Sequence, residues 1–436
     1  MINANNFNNG LRYLIFAVSA FVVFLNPYLA SPIPLVSGQI LVLWLLIYYG
    51  FKIYASEKIR FFIDYKFLVA IIAFFLYPHS ISFLQRAELD LNLLKIQISV
   101  LIMVLLGFIV SYTARNYRTP SSLSLDVCNL FVFVIVINSL IILLEFYIPS
   151  VRVALEALLT PDRKIDYANG LRFRGLASAG GASLSVAHGI SVPLLYYLFR
   201  RNCIGPLRLM FGVTVILLSL IFIGRTGFVV ALFGFLVVIV VTKSLGKTTG
   251  ILSSIWFLLI LIGSIFLVSY LGVFYDTLPA HYQNYSINLF LDGAEGLKSE
   301  GTVSYVFSFY SFPDDLLAVL FGRGDFSGGF DHGYDKPGDP GVMKILTAYG
   351  LIGVLIYVGL LLWCFSLSKG SLRTVLIICG LLLMATEFKE PFLFKGYSSR
   401  LFWLLIGFSL YSRGILSVKA FNKSIVARHP SLSDHN

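Results

Sequence analysis

Residues 207–242 read LRLMFGVTVILLSLIFIGRTGFVVALFGFLVVIVVT, and Arg208 and Arg225 are the only charged side chains among them. Two apolar runs, 207–224 and 226–242, have about the length of a bilayer-crossing helix. They are joined through Gly224-Arg225-Thr226-Gly227. A joint this short makes the chain cross and return at once. In lipid each crossing segment must satisfy its own backbone polar groups, so both runs read as helices of a membrane hairpin. Arg225 is thereby placed at the hydrocarbon edge, where a guanidinium is costly and tends to have a function.

The rest of the chain extends this pattern. Of its 436 residues 58% are apolar and 13% charged, against roughly 45–50% and about 25% in soluble domains. That balance excludes an ordinary cytosolic enzyme, a disordered chain and a disulfide-stapled secreted domain. Apolar runs stand at 11–30, 33–54, 66–84, 95–113, 127–149, 180–199, 207–224, 226–242, 251–274, 341–366, 372–388 and 398–414. The expected fold is all-α: a polytopic membrane protein of about twelve transmembrane helices. The first run is too long for the core of a cleaved signal, and Tyr28 suits a cleavage site badly, so it is expected to stay as a helix.

With a cytoplasmic N-terminus, the inner loops receive Arg12, Lys52, Lys58, Arg60, Lys66, Arg115, Arg118, Arg200, Arg201, Arg208, Lys243, Lys247, Lys369 and Arg373. The tail adds Arg413, Lys419, Lys423 and Arg428, against the acidic Glu57, Asp64, Asp126 and Asp434. Basic residues mark cytoplasmic loops, so both termini are expected inside. The net charge of +11 is then a topology signal, and nucleic acid is not an expected partner. The outer side carries two long segments, 150–179 and 275–340. The expected divisions are 1–274 with the first nine spans, the large outer loop 275–340, the last three spans at 341–414, and a cytoplasmic tail at 415–436. Gly322 to Gly341 holds seven glycines and two prolines, a composition for tight turns and close backbone approach. Cys128, Cys364 and Cys379 fall in spans and Cys203 in an inner loop, so neither a disulfide nor a zinc site is expected.

The candidate chemistry lies where spans 6, 8 and 10 begin on the outer side. Helix N-termini carry unpaired N–H groups and partial positive charge, which suit phosphate. Arg172-Phe173-Arg174-Gly175 precedes span 6, Arg225 precedes span 8, and Gly322-Arg323-Gly324-Asp325 and Asp339-Pro340-Gly341 precede span 10. Arginine forks beside such starts make a diphosphate clamp. Each residue keeps a plainer reading open. Arg225 reaches lipid headgroups, Arg172 and Arg174 pair with Asp162 or Asp166, Arg323 pairs with Asp325, and Asp339 caps a helix. Glu145 is either a site residue or an arginine's partner inside span 5. His332 is either a base or an idle surface histidine. His188 reads as a hydrogen-bonded packing residue, and His79 has no assigned partner. Glu387, Lys389, Glu390, Lys395 and Arg400 form an outer charged cluster that either lines a cavity or is a solvated turn.

From about 170 to 365 the order of these features resembles the bacterial O-antigen polymerases (Wzy type), and more distantly the O-antigen ligases, within the wider GT-C glycosyltransferase class. The resemblance rests on Arg172-Phe173-Arg174-Gly175 before a span, Gly224-Arg225-Thr226-Gly227 at a tight hinge, and a large outer loop. That loop ends in Phe321-Gly322-Arg323-Gly324, then Asp339-Pro340-Gly341 running on to Tyr349-Gly350-Leu351-Ile352-Gly353. Ligases typically place a histidine eleven residues before that Tyr-Gly glycine. Here Asp339 stands eleven before Gly350, which favours the polymerase over the ligase.

The resemblance implies a GT-C-like, metal-free enzyme without a cofactor, at the periplasmic face of the bacterial inner membrane. It would move a growing glycan from undecaprenyl pyrophosphate onto an incoming lipid-linked repeat unit. Arg172, Arg174 and Arg225 would hold pyrophosphate, Arg323 would assist, and Asp339 would accept or orient the acceptor hydroxyl. Membrane lipid and a chain-length regulator protein are the further partners it implies. Two other readings are a ligase transferring glycan to lipid A core and a flippase for lipid-linked oligosaccharide. A flippase usually has pseudo-symmetric halves and polar groups near mid-bilayer, whereas here the polar residues gather on one side.

Overall fold

A computed structural model describes residues 19–27, 47, 65–85, 90–114, 118–159, 173–178, 180–224, 226–243, 315–326, 340–394 and 396–411. Among them the chain is helical and forms no β-strand. The helices are Tyr65–Leu84, Leu91–Ala114, Pro120–Tyr147, Pro149–Leu158, Ala182–Arg200, Pro206–Ile223, Thr226–Lys243, Leu316–Phe321, Gly341–Leu367 and Gly370–Thr386, with further helix at 19–25 and 397–411. Six of them are long and apolar enough to cross a membrane, and 226–242 and 370–386 are shorter apolar helices. The protein is therefore a multi-pass, all-α membrane protein by helix length and composition. The expected runs at 33–54 (residue 47 aside) and 251–274, and part of 11–30, lie outside the described residues.

Local chemistry sets the helix ends more sharply than hydropathy does. The fifth expected run was placed from 127, but its helix starts at Pro120. Thr119 and Ser122 cap each other's backbone, and Pro120 takes the first position, where its missing N–H costs nothing. The run 341–366 carries an interruption that hydropathy does not show. Gly350 has φ 64° and ψ −177°, so two helical pieces meet there at a kink.

The 182–200 helix is the axis of the bundle, buried continuously from Leu184 to Leu198. It packs against 226–243, 206–223 and 120–147. The 370–386 helix lies on 226–243 and 120–147, while 341–367 packs on 65–84. Close crossings use glycine, which lets membrane helices approach backbone to backbone. A Cβ on Gly189 would overlap Gly227, and one on Gly107 would overlap the Leu404 carbonyl. Gly107→Val is accordingly expected to lower the unfolding midpoint in detergent, at a cost of about 1–3 kcal/mol for the overpacked crossing.

The bundle has two distinct ends. At one, Arg201 donates to Ser371 Oγ at 2.9 Å and Ser121 Oγ to the Lys369 carbonyl at 3.1 Å. Arg118, Arg200 and Arg208 border the same turns. The other end gathers 173–178, 222–227, 322–326, 340–342 and 387–397, and it holds the candidate site.

Candidate functional site

Three loops meet at that second end. The first, 173–178, has no ladder of its own, so its backbone groups bond to buried side chains of the 120–147 helix. Asn138 and Glu145, seven residues apart, share one face of that helix. Asn138 Oδ1 accepts from Leu176 N at 2.7 Å, its Nδ2 donates to the Arg174 carbonyl at 3.3 Å, and Glu145 Oε2 accepts from Gly175 N at 2.9 Å. Gly175 has φ 59°, and a Cβ there would strike Asn138. Asn138→Ala strands two backbone groups and is expected to cost about 1–3 kcal/mol, read as a lower midpoint in detergent.

Arg174 turns into the protein. Its side chain is 1% exposed and donates to the Leu159 carbonyl at 2.7 Å and the Ser178 carbonyl at 3.3 Å. Arg174 thus ties the end of the 149–158 helix to the loop. Glu145 is buried, with Arg152 and Arg174 as its cationic neighbours; the plainer reading offered an arginine's partner at this position.

The second loop is the hinge. Ser185 Oγ donates to the Gly224 carbonyl and accepts from Gly227 N at 2.7 Å. One hydroxyl therefore joins the end of the 206–223 helix to the start of 226–243. Phe173 N lies 3.5 Å from the Phe222 carbonyl, so the first loop leans on the hinge.

The connector 387–397 completes the assembly, and it reaches the starts of all three helices. Lys389 Nζ donates to Thr226 Oγ1 at 2.7 Å. The Glu387 carbonyl accepts from Val342 N at 3.0 Å. Tyr397 N donates to Ser183 Oγ at 3.4 Å, and the Tyr397 hydroxyl lies 2.9 Å from Ser178 Oγ. Helix 370–386 ends at Thr386, so Glu387 stands beyond the span. It is 3% exposed. Burial pushes its carboxyl up to about 8, with the Leu393 N–H on Oε1 opposing the shift. Among the described residues Oε2 has no hydrogen-bond partner.

The segment 322–326 is held against the kink at Gly350. Arg323 N donates to the Thr347 carbonyl at 2.6 Å and Gly324 N to the Ala348 carbonyl at 3.1 Å, both acceptors lying in the last turn before the kink. The same segment bonds Tyr77, Gln85 and Asp90, and its Phe326 ring meets Phe394 of the connector. The Arg323 side chain is half-buried.

Below this crossing His79, Gln97 and Tyr349 form a buried polar chain. Gln97 Nε2 donates to the Phe75 carbonyl and the Tyr349 hydroxyl, so its Oε1 accepts from His79 Nε2 at 2.8 Å. His79 thereby gains the partner that the sequence did not provide. His188 is fully buried, with Nδ1 2.9 Å from the Leu184 carbonyl.

Arg172, Arg225, His332 and Asp339 lie outside the described residues. Their described neighbours Phe173, Gly224, Thr226 and Pro340 all belong to the assembly around 387–397. Reading the sequence did not select Asn138, Ser185 or Gln97, and it left Glu387 undecided. The usable signal was a polar side chain isolated in an apolar run, which membranes tolerate where it is bonded or functional. No group of three His, Cys, Asp or Glu residues positioned for a metal occurs among the described residues. Comparison with family models, with curated proteins and with solved structures returns no match.

Proposed function

We propose that this chain is a GT-C-like glycosyltransferase of twelve spans, placed in a bacterial inner membrane with both termini in the cytoplasm. It lengthens a surface polysaccharide of the O-antigen kind from undecaprenyl-pyrophosphate-linked repeat units. The observation that supports this reading is the convergence of the 182, 226 and 341 helix starts on one connector, with arginines before each start in the sequence. Helix starts and guanidinium forks both favour a diphosphate.

In this mechanism Arg172, Arg225 and Arg323 hold the diphosphate of the donor. Arg174 acts through the loop that carries Arg172, since its own nitrogens are spent on carbonyls. Asp339 orients the acceptor hydroxyl. Diphosphate is already a good leaving group, so catalysis consists of charge stabilisation and alignment, with no metal or cofactor called for. A chain-length regulator and membrane lipid are the accompanying partners.

Purified protein with lipid-linked repeat units alone is expected to produce a ladder of chain lengths on a gel. Product that appears only when lipid A core is added would make it a ligase. Transbilayer movement of the lipid without bond formation would make it a flippase.

A further inference from the structure

The glycosyl-transfer reading accounts for the cations of the site and leaves its buried acid unexplained. Glu387 keeps one oxygen on the Leu393 N–H, and the other has no partner among the described residues. A buried polar atom left unpaired costs about 1–3 kcal/mol, and more when charged. The fold holds this one in place from several directions. The Glu387 backbone carbonyl accepts from Val342 N, and Trp403 Nε1 donates to the Leu393 carbonyl at 2.7 Å. The unpaired oxygen lies against Gly341, where a Cβ would overlap it. Glycine there leaves the first turn of the 341–367 helix open to the carboxylate. Two residues further on, Lys389 fixes its charge at the start of the 226–243 helix.

An ionised carboxylate only accepts hydrogen bonds. In the ionised form, the one that can act as a base, the free oxygen takes only a donor, and a diphosphate has none to offer. A sugar hydroxyl is the donor that a glycan-extending site must bring in. We propose that Glu387 binds the acceptor sugar's reacting hydroxyl and takes its proton during transfer. This inference rests on the glycosyl-transfer reading above. The hydroxyl proton passes to Glu387 Oε2 as the acceptor oxygen bonds the donor's anomeric carbon. The bond from that carbon to the diphosphate oxygen breaks, its electron pair leaving with the diphosphate. Glu387 then releases the proton to water. A base poised near the working pH suits this task. The charged and titratable groups around it among the described residues are Lys389 and Glu390 on its own connector and Tyr357 on the 341–367 helix.

The test uses purified full-length protein, undecaprenyl-pyrophosphate-linked repeat units, and undecaprenyl pyrophosphate as a separate binding probe. Glu387→Gln is expected to slow chain extension by roughly 10²- to 10⁴-fold, the range of a lost general base, while binding the probe as the wild type does. Glu387→Asp recovers part of the rate. The wild-type rate rises with pH through about 8, because the base must be ionised. Extension by Glu387→Gln at the wild-type rate overturns the assignment, as does loss of probe binding in that variant. A wild-type rate that is flat from about pH 6 to 9 also overturns it, and this arm needs no variant to fold. A wild type that makes no ladder at all overturns the glycosyl-transfer reading itself.

Discussion

On the proposed glycan-extending function, membranes carrying Arg225→Ala are expected to accumulate single lipid-linked repeat units in place of a ladder of long chains. Two carriers of its neighbourhood are fixed. The Gly224 carbonyl and Gly227 N are joined through Ser185, and Thr226 is held by Lys389. In the proposed mechanism an arginine carried between such fixed neighbours stabilises the charge that develops on a leaving diphosphate. Removing one preorganised group of this kind slows comparable reactions about 10²- to 10³-fold. Arg225→Lys should fall between wild type and Ala, because an ammonium keeps the charge and loses the two-pronged fork. Gel separation of the extracted glycan reads the result. Long chains from Arg225→Ala would remove this arginine from the mechanism.

The second large effect is on stability, at Gly350. Its φ of 64° with ψ near 180° is a conformation that residues with a Cβ rarely adopt, and the strain costs about 1–3 kcal/mol. A Cβ at this point also meets Gly322 N and the Leu320 carbonyl, and backbone atoms move less readily than a side-chain tip. Gly350→Ala should therefore release the 322–326 segment and lower the unfolding midpoint in detergent markedly. Gly359→Ala, on the same helix with nothing within 4 Å, should be neutral or stabilising by up to about 1 kcal/mol. Equal midpoints for the two variants would show that the crossing is not formed.

Some of this was legible in the sequence, for physical reasons that differ from residue to residue. Uncharged runs such as 226–242 announce a helix because lipid allows little else. Their ends depend on side-chain caps like Thr119 and Ser122, which hydropathy averages away. Gly350 looks like any glycine in an apolar run, because its φ is dictated by the backbone of 320–322, far off in the chain. Arg174 shows the same limit. Its position before a span was readable, but whether it points to a ligand or to the Leu159 carbonyl is decided by contacts the sequence does not display. Gln97 and Tyr349 meet across 252 positions, and nothing local in either segment indicates the other. Glu387 was visible as a charge in an outer connector, while its burial depends on 341–342 and 393 folding over it.

The 182–200 helix has the lowest hydropathy of the six membrane-length helices, 1.4, and the largest share of its span buried, 83%. His188 and Ser191 bond carbonyls of their own helix, whereas Ser185 bonds the Gly224 carbonyl and Gly227 N of the hairpin that follows. Ser185 therefore meets its partners only once the hairpin made after it is in place, so a polar group of the bundle's axis is satisfied by chain that is synthesised later.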